Sequence, residues 1–92
     1  MAKSILQSIK ECYVTGDTNN LHEHHIYGGG NRKTSEKYGF KVWLRADWHN
    51  MSDYGVHFNP DLDLHLKRIC QQKFEETHTR AEFMALIGMN FL

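Results

Sequence analysis

The chain carries no net charge, because eleven Lys and Arg residues balance eleven Asp and Glu over 92 residues. That excludes a uniformly basic nucleic-acid binder and a protein held on anionic lipid by overall charge, so any polyanion binding has to come from a local patch. Cysteine is scarce. The two present, Cys12 and Cys70, form no C-x-x-C pair, which argues against a disulfide framework and against dithiol chemistry. No apolar run approaches the roughly 20 residues that span a bilayer. The first residues also lack the long apolar segment of a signal peptide, so the expectation is a cytoplasmic protein with no membrane partner. Internal repeats and low-complexity runs are missing too, and the length accommodates one core. The expected organisation is therefore a single domain over residues 1–92.

Histidine is present in excess, with seven residues in a chain that is 40% hydrophobic and 24% charged. A globular protein with that bias points to metal or proton chemistry. The residue mix divides the chain into three stretches. Residues 5–27 read as a β-hairpin: 12–14 are β-prone, 16–20 are turn formers, and 21–27 alternate in polarity. Residues 28–33 begin with three glycines and read as a flexible loop, lacking the lysine-serine ending of a phosphate cradle. Residues 40–44 read as a further short strand.

The last stretch is helical. Asn59 is an N-cap followed by Pro60 at the first helical position, and Asp61 and Asp63 complement the helix dipole. Leu62, Leu66, Ile69, Cys70 and Phe74 follow at helical spacing. Thr79 and Glu82 fit a capping box for a second helix that Gly88 ends. The predicted order is two strands, loop, strand and two helices, an α+β fold.

His22, His24 and His25 fall within one predicted strand. Neighbouring strand residues point to opposite faces, so His24 and His25 cannot be equal ligands of one ion and need different tasks. Metal binding through a neutral imidazole and proton abstraction from water are the two that imidazole performs near neutral pH. Further ligands are available downstream in His49, Asn50, Asp53 and His57, a donor set that admits Mg²⁺, Mn²⁺, Ni²⁺ or Zn²⁺. His49 and Asp53 would share a face if that segment were helical. His22, His65 and His78 read as solvent-facing.

The order His24-His25-Ile26, Gly28-Gly29, Leu44, His49 and Gly55-Val56-His57-Phe58-Asn59 resembles the HNH endonucleases of the ββα-metal (His-Me finger) class. Within that class it is most similar to small HNH-like proteins of bacteriophages, over about half of the chain. The resemblance implies a treble-clef-like core of a β-hairpin and a short strand packed on C-terminal helices. It implies His24, His49 and His57 as ligands of a divalent ion, and His25 as the general base that activates water against a DNA phosphodiester. It also implies phage packaging or recombination proteins as partners. Thr15 and Arg45 stand where the family carries knuckle cysteines, so no four-ligand zinc cage can form, and packing of Tyr13, Val14, Trp43 and Trp48 is expected to replace it. The family's middle asparagine has no counterpart near Gly39-Phe40.

Between residues 32 and 47, Arg32, Lys33, Lys37, Lys41 and Arg45 outnumber Glu36 and Asp47. Beside a metal site this patch is the expected grip on DNA phosphates. The leading expectation is a metal-dependent DNA endonuclease. The alternative is a non-catalytic, treble-clef-like module that binds DNA or protein and keeps the histidines for a structural metal.

Overall fold

The computed structural model describes residues 2–92. Two strands, β1 (Leu21–His25) and β2 (Lys41–Arg45), pair antiparallel in a single sheet. Their register places His22 opposite Leu44, His24 opposite Val42 and His25 opposite Lys41. Between the strands lie a 3-10 turn over Gly29–Asn31 and helix α1 (Arg32–Tyr38). After β2 come α2 (Ala46–His49), a 3-10 turn over Val56–Phe58, α3 (Pro60–Phe74) and α4 (Arg80–Ile87). The fold class is α+β, as expected.

The N-terminal hairpin is not formed. Residues 12–14 lie in a turn closed by Cys12 N–H to the Asp17 carbonyl at 2.7 Å and Gly16 N–H to the Cys12 carbonyl at 2.8 Å. Their β-prone side chains are outweighed by the turn formers that follow them. The segment instead runs along the free edge of β2, where Gln7 Oε1 accepts from Trp43 N–H at 2.7 Å and Tyr13 N–H donates to the Trp43 carbonyl at 2.8 Å. An edge covered in this way offers no template to another chain. Tyr13 and Val14 are exposed, so backbone bonds, and not the expected packing of those two residues, hold this turn. Trp43 and Trp48 are half-buried.

The stretch expected to be a flexible loop ends in α1. Arg32, Lys33, Glu36 and Lys37 are good helix formers, and Gly39 at φ +76° supplies the left-handed stop. A Cβ at Gly39 would run into the Lys3 carbonyl, so this turn has two reasons to exclude a side chain. Buried Ser35 locks α1 onto the end of β1: its hydroxyl donates to the Tyr27 carbonyl at 2.7 Å and accepts from Tyr27 N–H at 3.2 Å.

Both C-terminal helices follow the sequence signals. Asn59 accepts from Leu62 N–H at the start of α3, Thr79 and Glu82 form the capping box of α4, and Gly88 ends α4 at φ +88°. Leu66, Cys70 and Phe74 of α3 meet Phe83 and Ile87 of α4 and Ile26, Tyr27, Phe40, Val42 and Leu44 of the sheet region in one core. Cys12 and Cys70 are buried free thiols. The Tyr27 hydroxyl donates to the Lys67 carbonyl at 2.6 Å, which fixes α3 beside β1 and forms one wall of the cleft described next. No helix among the described residues is long and apolar enough to cross a membrane.

Candidate metal centre

His22 and His24 share one face of β1 because they are two residues apart, and His24 is buried there at 4% exposure. His49, the last residue of α2, and His57, in the 3-10 turn, come to the same place. Nitrogen atoms of His24, His49 and His57 lie within 4.8 Å of one another. His49 Nε2 and His57 Nε2 are 3.0 Å apart. Two ligands at the roughly 2.0–2.1 Å of a metal-imidazole bond stand about 3.0–3.4 Å from each other, so this spacing suits neighbouring positions on one ion. His24 Nε2 is fully buried and has no hydrogen-bond partner, the one such side-chain atom among the described residues. An orphaned buried nitrogen is costly, and coordination to an ion would relieve that cost.

A glycine makes the convergence possible. At Gly55 an added Cβ would lie 2.7 Å from the His49 carbonyl oxygen and 2.9 Å from that of Asp47. Only glycine lets residues 50–55 fold back tightly enough to bring His57 beside His49. Asp53 and Asn50 are exposed on this return, and Asp53 belongs to no metal-sized cluster. Because α2 stops at His49, the helical face that would have paired His49 with Asp53 does not exist.

Burial and neighbouring rings keep two of these histidines deprotonated. Burial, followed by His49, His57, His25 and Lys67, lowers His24 to a pKa of about 3. Burial, followed by His57, His22 and His25, lowers His49 to about 4. Both rings are therefore neutral near pH 7, with lone pairs available to an ion without prior loss of a proton. Three imidazoles without a carboxylate favour Zn²⁺ or Ni²⁺ over Mg²⁺ or Mn²⁺.

His25 points to the other face of β1. Its Nε2 donates to Glu36 Oε2 at 2.8 Å and lies 3.9 Å from Glu23 Oε1. Lys41, opposite His25 in the register, is 2.9 Å from Glu36 Oε2 and 3.4 Å from Glu23 Oε2. Glu23, His25 and Glu36 are close enough to hold an ion, but the Lys41 ammonium already supplies the positive charge there. His25 nonetheless lines a cleft of about 650 Å³ together with His24, His57, Gly28, Gly29 and Lys67, so it shares an opening with two of the three clustered histidines. A second, smaller cleft joins it to Glu36, Arg32 and Lys33.

Two members of the expected phosphate grip are otherwise engaged. Lys41 is buried at 4% exposure, and although burial alone would depress its ammonium, Glu36 and Glu23 outweigh that and hold it above its ordinary value. Arg45 is bidentate to Asp47 at 2.7 and 2.9 Å and also pairs with Asp17. Neither is a free charge for DNA. Arg32, Lys33 and Lys37 are exposed on α1 and make no ion pair among the described residues.

His22, expected to face solvent, does not. It is half-buried, and its Nδ1 lies 3.0 Å from His49 Nδ1. Its two-residue offset from His24 on one strand was the signal that placed it at the site. His65 and His78 are exposed, the latter stacked on Phe74 at 4.1 Å. Comparison of the chain with protein-family models, with curated proteins and with solved structures gives no match.

Proposed function

We infer that the protein is a metal-dependent endonuclease hydrolysing DNA phosphodiester bonds, with an HNH-like ββα-metal site built from β1, β2, α2 and the following 3-10 turn. The observation that carries this reading is the buried, partnerless Nε2 of His24 converging with His49 and His57. When bound, a divalent ion there supplies Lewis-acid stabilisation of the charge that develops on the phosphate and on the leaving oxygen. His24, His49 and His57 hold that ion through ring nitrogens. His25 keeps its proton on Nε2 for Glu36, which leaves Nδ1 as the basic nitrogen that takes a proton from the attacking water. Glu36 thereby gives His25 an orienting partner where the family's asparagine is absent, and Lys41 holds Glu36 in turn. Arg32, Lys33 and Lys37 contact the phosphates flanking the cleft.

The openness of the site favours catalysis over a structural metal in a non-catalytic module. Structural zinc sites are closed by four protein ligands, whereas here the cluster offers three, of which His24 and His57 line a cleft and His57 is exposed. Plasmid cleavage with Mg²⁺, Mn²⁺, Ni²⁺ and Zn²⁺, run beside the His25→Ala variant, tests the reading. The expected result is metal-dependent cleavage, strongest with Ni²⁺ or Zn²⁺, that His25→Ala abolishes while binding metal as before. Metal binding without cleavage by the unsubstituted protein would hand the site to the structural alternative.

A further inference from the structure

His49 is the ligand with both ring nitrogens engaged. Its Nε2 faces His57 Nε2 at 3.0 Å and its Nδ1 faces His22 Nδ1 at 3.0 Å. An imidazole that offers Nε2 to an ion carries its proton on Nδ1, and that proton needs an acceptor. We propose that His22 is the positioning residue of this centre: protonated on Nε2, it accepts the Nδ1–H of His49 at its own Nδ1, fixing the tautomer and ring plane that turn His49 Nε2 toward the ion.

Three features support the assignment, which rests on reading His24, His49 and His57 as ligands. The strand alternation that sends His24 into the cluster sends His22 to the same side, and the register seats His22 opposite Leu44, two residues before α2. The two rings meet edge to face, with centroids 5.2 Å apart and planes at 89°, so the His49 ring is held against rotation from its outer side. His22 itself lies outside the three-residue ligand cluster, which excludes it as a fourth ligand in this arrangement. Outer partners of ligating histidines are usually carboxylates or peptide carbonyls. An imidazole in that place orients without adding negative charge, so a divalent ion on three neutral ligands keeps its full charge toward an anionic ligand such as a phosphodiester.

The test uses the full chain and the metal alone. His22→Gln retains a side-chain acceptor, and His22→Phe keeps the ring but has none. Calorimetric titration with Zn²⁺ and the visible absorption bands of the Co²⁺-loaded protein are measured for both variants, with thermal midpoints in EDTA as the check on folding. The expected result is an affinity loss of about 10–100-fold and altered Co²⁺ bands for His22→Phe. His22→Gln should stay within several-fold of the unsubstituted protein, and all three midpoints in EDTA should agree within a few degrees. Equal affinities for His22→Phe and the unsubstituted protein overturn the role of His22 while leaving the metal centre standing, as does a His22→Gln variant no better than His22→Phe. Failure of the unsubstituted protein to bind Zn²⁺ or Co²⁺ overturns the metal centre itself. Should His22→Phe not fold, ring ¹⁵N shifts of the unsubstituted Zn²⁺-loaded protein decide: a proton on His49 Nδ1 supports the proposal, and a proton on Nε2 overturns it.

Discussion

Replacing His24 by leucine should make the metal-free protein more stable while removing its response to metal. The buried Nε2 of His24 has no partner, and an unsatisfied buried polar group costs roughly 1–3 kcal/mol. Leucine removes that cost, and the imperfect fit of its branched side chain gives back up to about 1.5 kcal/mol. The net gain at neutral pH is on the order of 1 kcal/mol, or about 4–8 °C in thermal midpoint for a chain of this size. The advantage should widen in acid. The His24 pKa is about 3 folded against 6.5 unfolded, so between those values the unfolded chain binds more protons and stability falls as pH falls. At about 1.4 kcal/mol per pH unit the burden is absent above pH 6.5 and reaches about 2 kcal/mol by pH 5. His24→Leu carries none of it. Urea unfolding followed by tryptophan fluorescence at pH 7 and pH 5 in EDTA, repeated at pH 7 with excess Zn²⁺, measures each term. The unsubstituted protein should gain about 2.7 kcal/mol when Zn²⁺ reaches a hundred times its Kd, and the variant nothing. A variant less stable than the parent in EDTA at both pH values would refute the claim that His24 is an orphan. Equal Zn²⁺ stabilisation would refute its role as ligand.

Chelation should leave the fold intact, since the apolar core and the bonds of the N-terminal turn contain no metal ligand; cooperative loss of the far-UV circular dichroism in EDTA would contradict this. Arg32→Ala combined with Lys33→Ala should weaken DNA binding and flatten its salt dependence by about 0.9 per lost phosphate contact, with the thermal midpoint unchanged, as read by fluorescence anisotropy across a salt series. Lys41→Ala should instead lower stability by about 1–3 kcal/mol in urea unfolding, because it strands Glu23 and Glu36 together around His25, the partial exposure of those carboxylates tempering the cost of breaking a buried pair. Gly55→Ala should reduce Zn²⁺ affinity at least tenfold in calorimetry by pushing His57 away from His49; an affinity equal to the parent would show that the 50–55 return can widen freely.

The sequence was most legible where one local rule decided the outcome. Asn59-Pro60, the Thr79/Glu82 box and Gly88 each act within a single helical turn, and all three appear as read. The His24, His49 and His57 set was legible from motif order, and the chain brings those three together. The N-terminal strand and the grip of Lys41 and Arg45 were not legible, because each depends on a partner distant in sequence. Residues 12–14 find one edge bond to Trp43 and no ladder. Lys41 is neutralised across the sheet by Glu23 and from α1 by Glu36, while Arg45 answers to Asp17 as well as to nearby Asp47. A count of basic residues along the chain carries none of that information.

Strand alternation sorts the chemistry of β1 into two faces. His22 and His24 fall on the face where the two strands carry no carboxylate. Glu23 and His25 fall on the face where Lys41 offsets the acids and Glu36 orients the histidine. A slip of one residue in the β1/β2 register would exchange the two sets, setting Glu23 beside His49 and burying a carboxylate where a neutral ring now lies. An ion bound there would then be partly neutralised, and His25 would lose Glu36 as its partner. Register is held against that slip by Ile26, whose N–H donates to the Phe40 carbonyl at 2.9 Å while its side chain is buried at 1% exposure, and by Ala46 N–H on the Asn20 carbonyl at 2.8 Å at the opposite end. The different surroundings of adjacent His24 and His25 therefore depend on two backbone bonds just outside the strands, and not on the histidines themselves.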